Sequence, residues 1–131
     1  MSYIIGVDHI TINVKDMNKT IVFYTEFLGL QLLNTVVQEE QEIIYIELPG
    51  GCRLELVKYN DQQSAIQVAQ KNLGIIRHFA LATDRLDAVW EKVNKDNIPV
   101  RMELTTMEDL GCRGILIEDP NGVEVELVER L

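Results

Sequence analysis

The sequence predicts an α+β fold built from two βαβββ modules in one chain, with a helix on one face of each module's strands and a polar row on the opposite, concave face. Two observations predict it. The first is an internal repeat: Gly6–Val14 and Ile75–Thr83 are both strand-like runs with a histidine near the start, each followed by an aspartate and a helical pattern. Cys52–Val57 and Val123–Val128 are likewise similar, and the histidine pair and the glutamate pair Glu55/Glu126 are both separated by about 70 residues. The second is period-two alternation of apolar and polar residues in the runs that flank each helical pattern.

In the first module, about residues 4–60, Ile4–Val14 alternates and is expected to be a strand. Asp16 is placed to cap a helix over Met17–Leu28, striped by Met17, Ile21, Tyr24 and Leu28 and stopped by Gly29. Strands are expected over Leu30–Gln38, Glu42–Leu48 and Cys52–Tyr59, the last two joined by the tight turn Pro49-Gly50-Gly51. Asn60–Gly74 is polar and is the expected linker. The second module, about residues 74–131, repeats the order: a strand over Ile75–Ala82, then a helix over Arg85–Asn97 striped by Leu86, Val89, Trp90 and Val93, with Pro99 just beyond it. Strands over Val100–Leu104, Gly111–Glu118 and Val123–Arg130 complete it. The final pair is joined by Asp119-Pro120-Asn121-Gly122, a strong hairpin signal, and Thr105–Asp109 is expected to be a polar loop.

Side-chain parity decides which groups can meet on these strands. His9, Thr11 and Asn13 share one face of the first strand, and Arg53, Glu55 and Val57 one face of the fourth. Glu124, Glu126 and Val128 share a face of the last, while His78 shares its face with Ile76, Ala80 and Ala82. Both histidines of the chain therefore occupy repeat-equivalent positions, each paired with a downstream glutamate. Two imidazoles and two carboxylates suit one divalent ion such as Zn²⁺, Ni²⁺, Co²⁺, Mn²⁺ or Fe²⁺, with positions left for water or substrate. Arg53 has the parity to anchor an anionic substrate group, or to pair with an acid such as Glu47 on the neighbouring strand. Tyr45, Trp90 and the Phe23-Tyr24 pair are expected in the core.

At these residues the sequence resembles the vicinal oxygen chelate superfamily and, within it, the glyoxalase I-like proteins. The matching pieces are His9–Asp16, Phe23-Tyr24 with Leu28-Gly29-Leu30, Leu54-Glu55-Leu56, His78–Leu81 and the ending Asp119–Val128, so that the resemblance covers nearly the whole chain. It implies a curved mixed sheet around a divalent metal held by His9, Glu55, His78 and Glu126. It also implies proton transfer through an enediolate on an α-oxo hemithioacetal or related carbonyl substrate. Glu126 would be the base and Glu55 its partner on the opposite face. Glutamate at the second ligand position matches the glyoxalase I set. Methylmalonyl-CoA epimerases usually carry glutamine there, and fosfomycin-resistance transferases and extradiol dioxygenases a His-His-Glu set. Bacterial glyoxalase I typically has an arginine four residues after the first histidine to hold a glutathione carboxylate; Asn13 stands there in this chain, which leaves the thiol co-substrate open. An epimerase acting α to a thioester, a dioxygenase on iron, and a metal-free small-molecule-binding resistance protein are the competing readings.

The composition narrows the partners. Twelve Lys and Arg against 21 Asp and Glu give a net charge of −9, which disfavours nucleic acid and anionic membranes. Apolar runs fall short of a membrane span, and the start lacks the basic and apolar regions of a signal peptide. Cys52 and Cys112 lie far apart without metal spacing, as expected for reduced thiols in the cytosol. The expected partners are a small-molecule substrate and a second copy in a homodimer, with the two halves of the site closing within a chain or across two.

Overall fold

The structure, a computed structural model, describes residues 5–61 and 78–131. The expected linker beyond Asp61 and the start of the strand over Ile75–Arg77 lie outside the described residues. The chain forms two compact units, each with one four-stranded mixed sheet and one helix. Among the described residues, no helix is long and apolar enough to cross a membrane.

In the first unit, β1 (His9–Asn13), β2 (Gln31–Val37), β3 (Gln41–Leu48) and β4 (Cys52–Tyr59) are ordered β1-β4-β3-β2. β1 runs parallel to β4 and the other neighbours are antiparallel. β3 and β4 are joined through Gly50 and Gly51, both in the left-handed region that glycine adopts without a Cβ penalty. Helix α1 (Met17–Val22) starts where Asp16 accepts the Lys19 N–H at 3.0 Å, the cap expected of it. The expected α-helix does not run to Leu28. Phe23–Phe27 is a π-helical turn, in which the Leu28 N–H reaches back five residues to the Phe23 carbonyl at 3.0 Å. The wider turn leaves the consecutive Phe23 and Tyr24 both buried, with their rings edge to face at 5.0 Å. Gly29, with φ +73°, ends the element as expected.

The second unit repeats this plan. β5 (Phe79–Ala82), β6 (Val100–Met107), β7 (Cys112–Glu118) and β8 (Glu124–Arg130) are ordered β5-β8-β7-β6, with β5 parallel to β8. Helix α2 (Leu86–Lys95) buries Leu86 and Val93. One departure from expectation is β6. Thr105–Met107 is strand, not polar loop, because it pairs with Gly114, Arg113 and Cys112 of β7; only Glu108–Leu110 turns, as a single 3₁₀ turn. The Asp119–Gly122 hairpin is as expected, and its carboxylate is built into the turn. Asp119 accepts the backbone N–H groups of Asn121 and Val123, both at 2.8 Å.

The alternation read from the sequence sets what faces the core. Ile12, Leu54, Leu56 and Ile46 are buried in the first unit, Val125, Leu127, Ile115 and Ile117 in the second. In the second unit the helix covers that apolar face: Glu129, of the same parity as Val125 and Leu127, accepts the Leu86 N–H at 3.3 Å. Arg113 crosses from β7 to join Glu129 at 2.6 Å and Asp87 of α2 through two further bonds. Glu126 therefore points to the side of the sheet away from α2.

Candidate functional site

The polar row of the first unit is laid out by the strand registers. Thr11 of β1 and Tyr45 of β3 stand opposite Glu55 of β4, one on each side, and His9 stands opposite Arg53. Glu55 accepts from both flanks: the Thr11 hydroxyl donates to Oε1 at 3.1 Å and the Tyr45 hydroxyl to Oε2 at 2.5 Å. The latter is the length of a charge-assisted O–H···O⁻ bond. The carboxylate on its hydroxyl, together with burial, pushes the Tyr45 pKa above the usual phenol value, so the hydroxyl keeps its proton at neutral pH. Tyr45 is thus not a core residue as expected. It is half-buried on the polar face, and the signal that identifies it is the alternation of β3, where Ile44, Ile46 and Leu48 take the other side.

His9 and Arg53 meet on Asp8, which the sequence reading did not single out. The Asp8 Oδ2 accepts His9 Nδ1 at 2.7 Å and Arg53 Nη2 at 3.1 Å. The imidazole bond and then the guanidinium hold the Asp8 carboxyl below the usual aspartate range. An ionised carboxylate only accepts, so the proton of this bond sits on Nδ1, which leaves Nε2 as the ring nitrogen not engaged by Asp8. The expected partner of Arg53, Glu47, is its register neighbour, but the ion pair is with Asp8, and the guanidinium also lies 4.5 Å over the Tyr45 ring. Asn13 is exposed on the same face, two positions beyond Thr11.

In the second unit the corresponding pair is in direct contact. His78 Nε2 lies 2.8 Å from Glu126 Oε2, with both side chains largely covered, and the buried His78 Nδ1 has no hydrogen-bond partner among the described residues. Ala80 of β5 and Leu116 of β7 are the register neighbours of Glu126. Gly114 was also missed by the sequence reading. A Cβ there would lie 3.3 Å from Glu126 Oε1 and 3.2 Å from the Leu127 carbonyl, so its absence leaves room at the carboxylate.

Among the described residues, no three His, Cys, Asp or Glu side chains come together as a metal-binding group; His78 and Glu126 are in contact in the second unit, while in the first His9 bonds Asp8 and Glu55 bonds Thr11 and Tyr45. The chemistry of these donors fits a divalent ion. His9 has its outer nitrogen freed by a carboxylate on the inner one, the arrangement that prepares a histidine ligand. His78 Nε2 and Glu126 Oε2, 2.8 Å apart, are an imidazole nitrogen and a carboxylate oxygen already converged.

The family model for the glyoxalase/bleomycin resistance protein/dioxygenase superfamily matches residues 6–127. The chain is 30% identical over 127 residues to the Bacillus subtilis protein YwbC, covering 95% of this chain and 97% of that one. It is 28% identical over 130 residues to lactoylglutathione lyase of Escherichia coli O157:H7, covering 92% and 90%. Among solved structures it is similar to a glyoxalase family protein from Enterococcus faecalis, with a TM-score of 0.76 at 26% identity, covering 95% of this chain and 97% of that one.

Proposed function

Because the chain belongs to the glyoxalase/bleomycin resistance protein/dioxygenase superfamily, we propose that it is a divalent-metal-dependent lyase or isomerase of the glyoxalase I type. Its substrate would be an α-oxygenated carbonyl compound, presented as a hemithioacetal or a related adduct. The observation that carries this reading is that each unit sets a histidine and a glutamate on the polar side of its sheet at repeat-equivalent positions: His9 and Glu55 share one face two residues out of register, and His78 meets Glu126 directly. These four side chains are the proposed ligands. The ion they bind, one of Zn²⁺, Ni²⁺, Co²⁺, Mn²⁺ or Fe²⁺, supplies Lewis-acid stabilisation to the negative charge that develops on the substrate oxygens.

The chain's own groups do the rest. Glu126 takes the proton from one carbon of the substrate and returns it to the adjacent one, acting as base and then as acid across an enediolate. His9 and His78 would stay as neutral imidazole ligands. Glu55 is the partner carboxylate, and Arg53 and Asn13, on the same face, meet the polar end of the substrate. Asn13 brings no charge to a thiol's carboxylate, so the thiol need not be glutathione; the relative named lactoylglutathione lyase supports the reaction class rather than the co-substrate. A homodimer in the cytosol completes the reading.

The test joins metal analysis to turnover. The purified protein is expected to carry a stoichiometric divalent ion that His9→Ala and His78→Ala lose. Methylglyoxal adducts of a panel of thiols, alongside acyl-CoA esters, identify the substrate. Glu126→Gln is expected to abolish turnover while the ion stays bound, and full activity in that variant would refute the assignment. A protein that takes up no ion even after reconstitution would favour a metal-free binding protein.

A further inference from the structure

The two units place equivalent carboxylates in equivalent registers, yet surround them with different chemistry. Glu55 stands between Thr11 and Tyr45; Glu126 stands between Ala80 and Leu116. The first pair of neighbours presents two hydroxyl donors and the second presents none. Ile43, two positions before Tyr45, corresponds to Gly114, two before Leu116, so the second unit also removes a side chain beside its carboxylate. Tyr45 is fixed in turn. Arg53 stacks on its ring at 4.5 Å, Asp8 holds Arg53 at 3.1 Å, and the same Asp8 oxygen holds His9 at 2.7 Å. A continuous chain of contacts therefore runs from Glu55 through Tyr45, Arg53 and Asp8 to His9.

We propose that Tyr45, with Thr11, is a positioning residue that pins Glu55 as a fixed metal ligand, so that the moving carboxylate is Glu126 alone; this rests on the metal-dependent reading above. Each Glu55 oxygen accepts one hydroxyl and retains a second lone pair for an ion, so the hydroxyls fix the carboxylate without blocking it. Swinging Glu55 away to carry a proton would break both bonds at once. Glu126 has no hydroxyl on either register neighbour and no Cβ on Gly114 beside its Oε1, so no such pair of bonds holds it.

The experiment measures Co²⁺ affinity by competition with a chelator for the wild type, Tyr45→Phe, Glu55→Ala and the double variant, with thermal midpoints recorded alongside. Tyr45→Phe is expected to weaken binding by about tenfold or more, the usual effect of removing a group that orients a ligand. In the Glu55→Ala background it is expected to change nothing further, because Tyr45 acts through Glu55. Equal affinity in Tyr45→Phe and wild type, or the same loss with and without Glu55, would overturn the proposal. Should Tyr45→Phe fold poorly, Thr11→Val on the exposed face of β1 removes the other hydroxyl and is expected to weaken binding in the same sense; unchanged affinity there would overturn it as well. A wild type that binds no Co²⁺ refutes the metal-dependent reading itself, an outcome distinct from a wild type that binds and a Tyr45→Phe that binds equally.

Discussion

Asp119→Ala tests whether the hairpin that carries Glu126 into place depends on one carboxylate. Asp119 and Asn121 are nearly fully buried, at 4% and 2% exposure. Asp119 Oδ1 accepts two backbone N–H groups at 2.8 Å, and Oδ2 accepts the Asn121 side-chain amide at 3.0 Å. The turn's backbone bonds, Gly122 N–H to the Asp119 carbonyl at 3.0 Å and Asp119 N–H to the Val123 carbonyl at 2.9 Å, survive the substitution. Alanine therefore leaves three donors without their acceptor. Each buried donor so orphaned costs ~1–3 kcal/mol, and because the three share one carboxylate the losses add incompletely, giving about 3 kcal/mol in total. At a urea m-value of about 1.5–2 kcal/mol/M the unfolding midpoint should fall by roughly 1.5–2 M. Asp119→Asn keeps an oxygen for both backbone donors and is expected to cost only about 1 kcal/mol. Equilibrium urea unfolding followed by circular dichroism measures both. An alanine variant within about 1 kcal/mol of wild type would refute the reasoning, since the smallest penalty for even one orphaned donor is of that size. So would an asparagine variant as unstable as alanine.

Two further outcomes follow from the second unit. Gly114→Ala places a Cβ 3.2 Å from the Leu127 backbone carbonyl and 3.3 Å from Glu126 Oε1, and of the two the flexible carboxylate is the one that gives way. Stability should stay within about 1 kcal/mol, the chain-entropy gain offsetting the crowding, while turnover falls roughly tenfold from the displaced carboxylate; a variant as active as wild type would show that Glu126 accommodates the methyl. Asp87 titrates below the usual aspartate range because Arg113 donates two bonds to it. Its lowered folded-state pKa adds stability above the ordinary aspartate pKa, and that stability is lost as pH falls through the folded value. Asp87→Asn should therefore lower the thermal midpoint slightly at pH 7, and the gap to wild type should close in strong acid; a gap that persists there would assign the effect to packing.

Much of the fold was legible because alternation and helical striping are local signals. The parity of β1, β4 and β8 put His9, Glu55 and Glu126 on polar faces before any register was known. What was not legible depended on partners distant in sequence. Thr105–Met107 reads as a polar loop alone and becomes strand only through its pairing with Cys112–Gly114. The π-helical turn keeps the apolar stripe of an α-helix, so no local pattern distinguishes it until both Phe23 and Tyr24 are seen buried. Tyr45 is amphipathic: its ring suits a core, and only the register that sets it across from Glu55 reveals the use of its hydroxyl. Asp8 carries no motif, and its role follows from standing beside His9 and across the sheet from Arg53.

A repeat that kept both halves identical would surround its two carboxylates alike and give them equal freedom. The apolar positions hold to the common plan: Leu54 and Leu56 in one unit, Val125 and Leu127 in the other, all buried. The divergence falls on the opposite face, at the neighbours of the carboxylates, where Thr11 and Tyr45 stand against Ala80 and Leu116. Buried positions are constrained by packing density and resist change of volume, whereas Thr11 and Ala80 are exposed, and Leu116 keeps an apolar body where Tyr45 adds a ring and a hydroxyl. A duplicated scaffold can therefore make one carboxylate rigid and leave its twin loose without altering the fold. Proton transfer needs that inequality, because a base must approach and leave the substrate while a ligand must stay, and two carboxylates of equal freedom would compete for both tasks. On the proposed reading the hydroxyls of Thr11 and Tyr45 hold Glu55 in place and would leave proton transfer to Glu126, which neither of them touches.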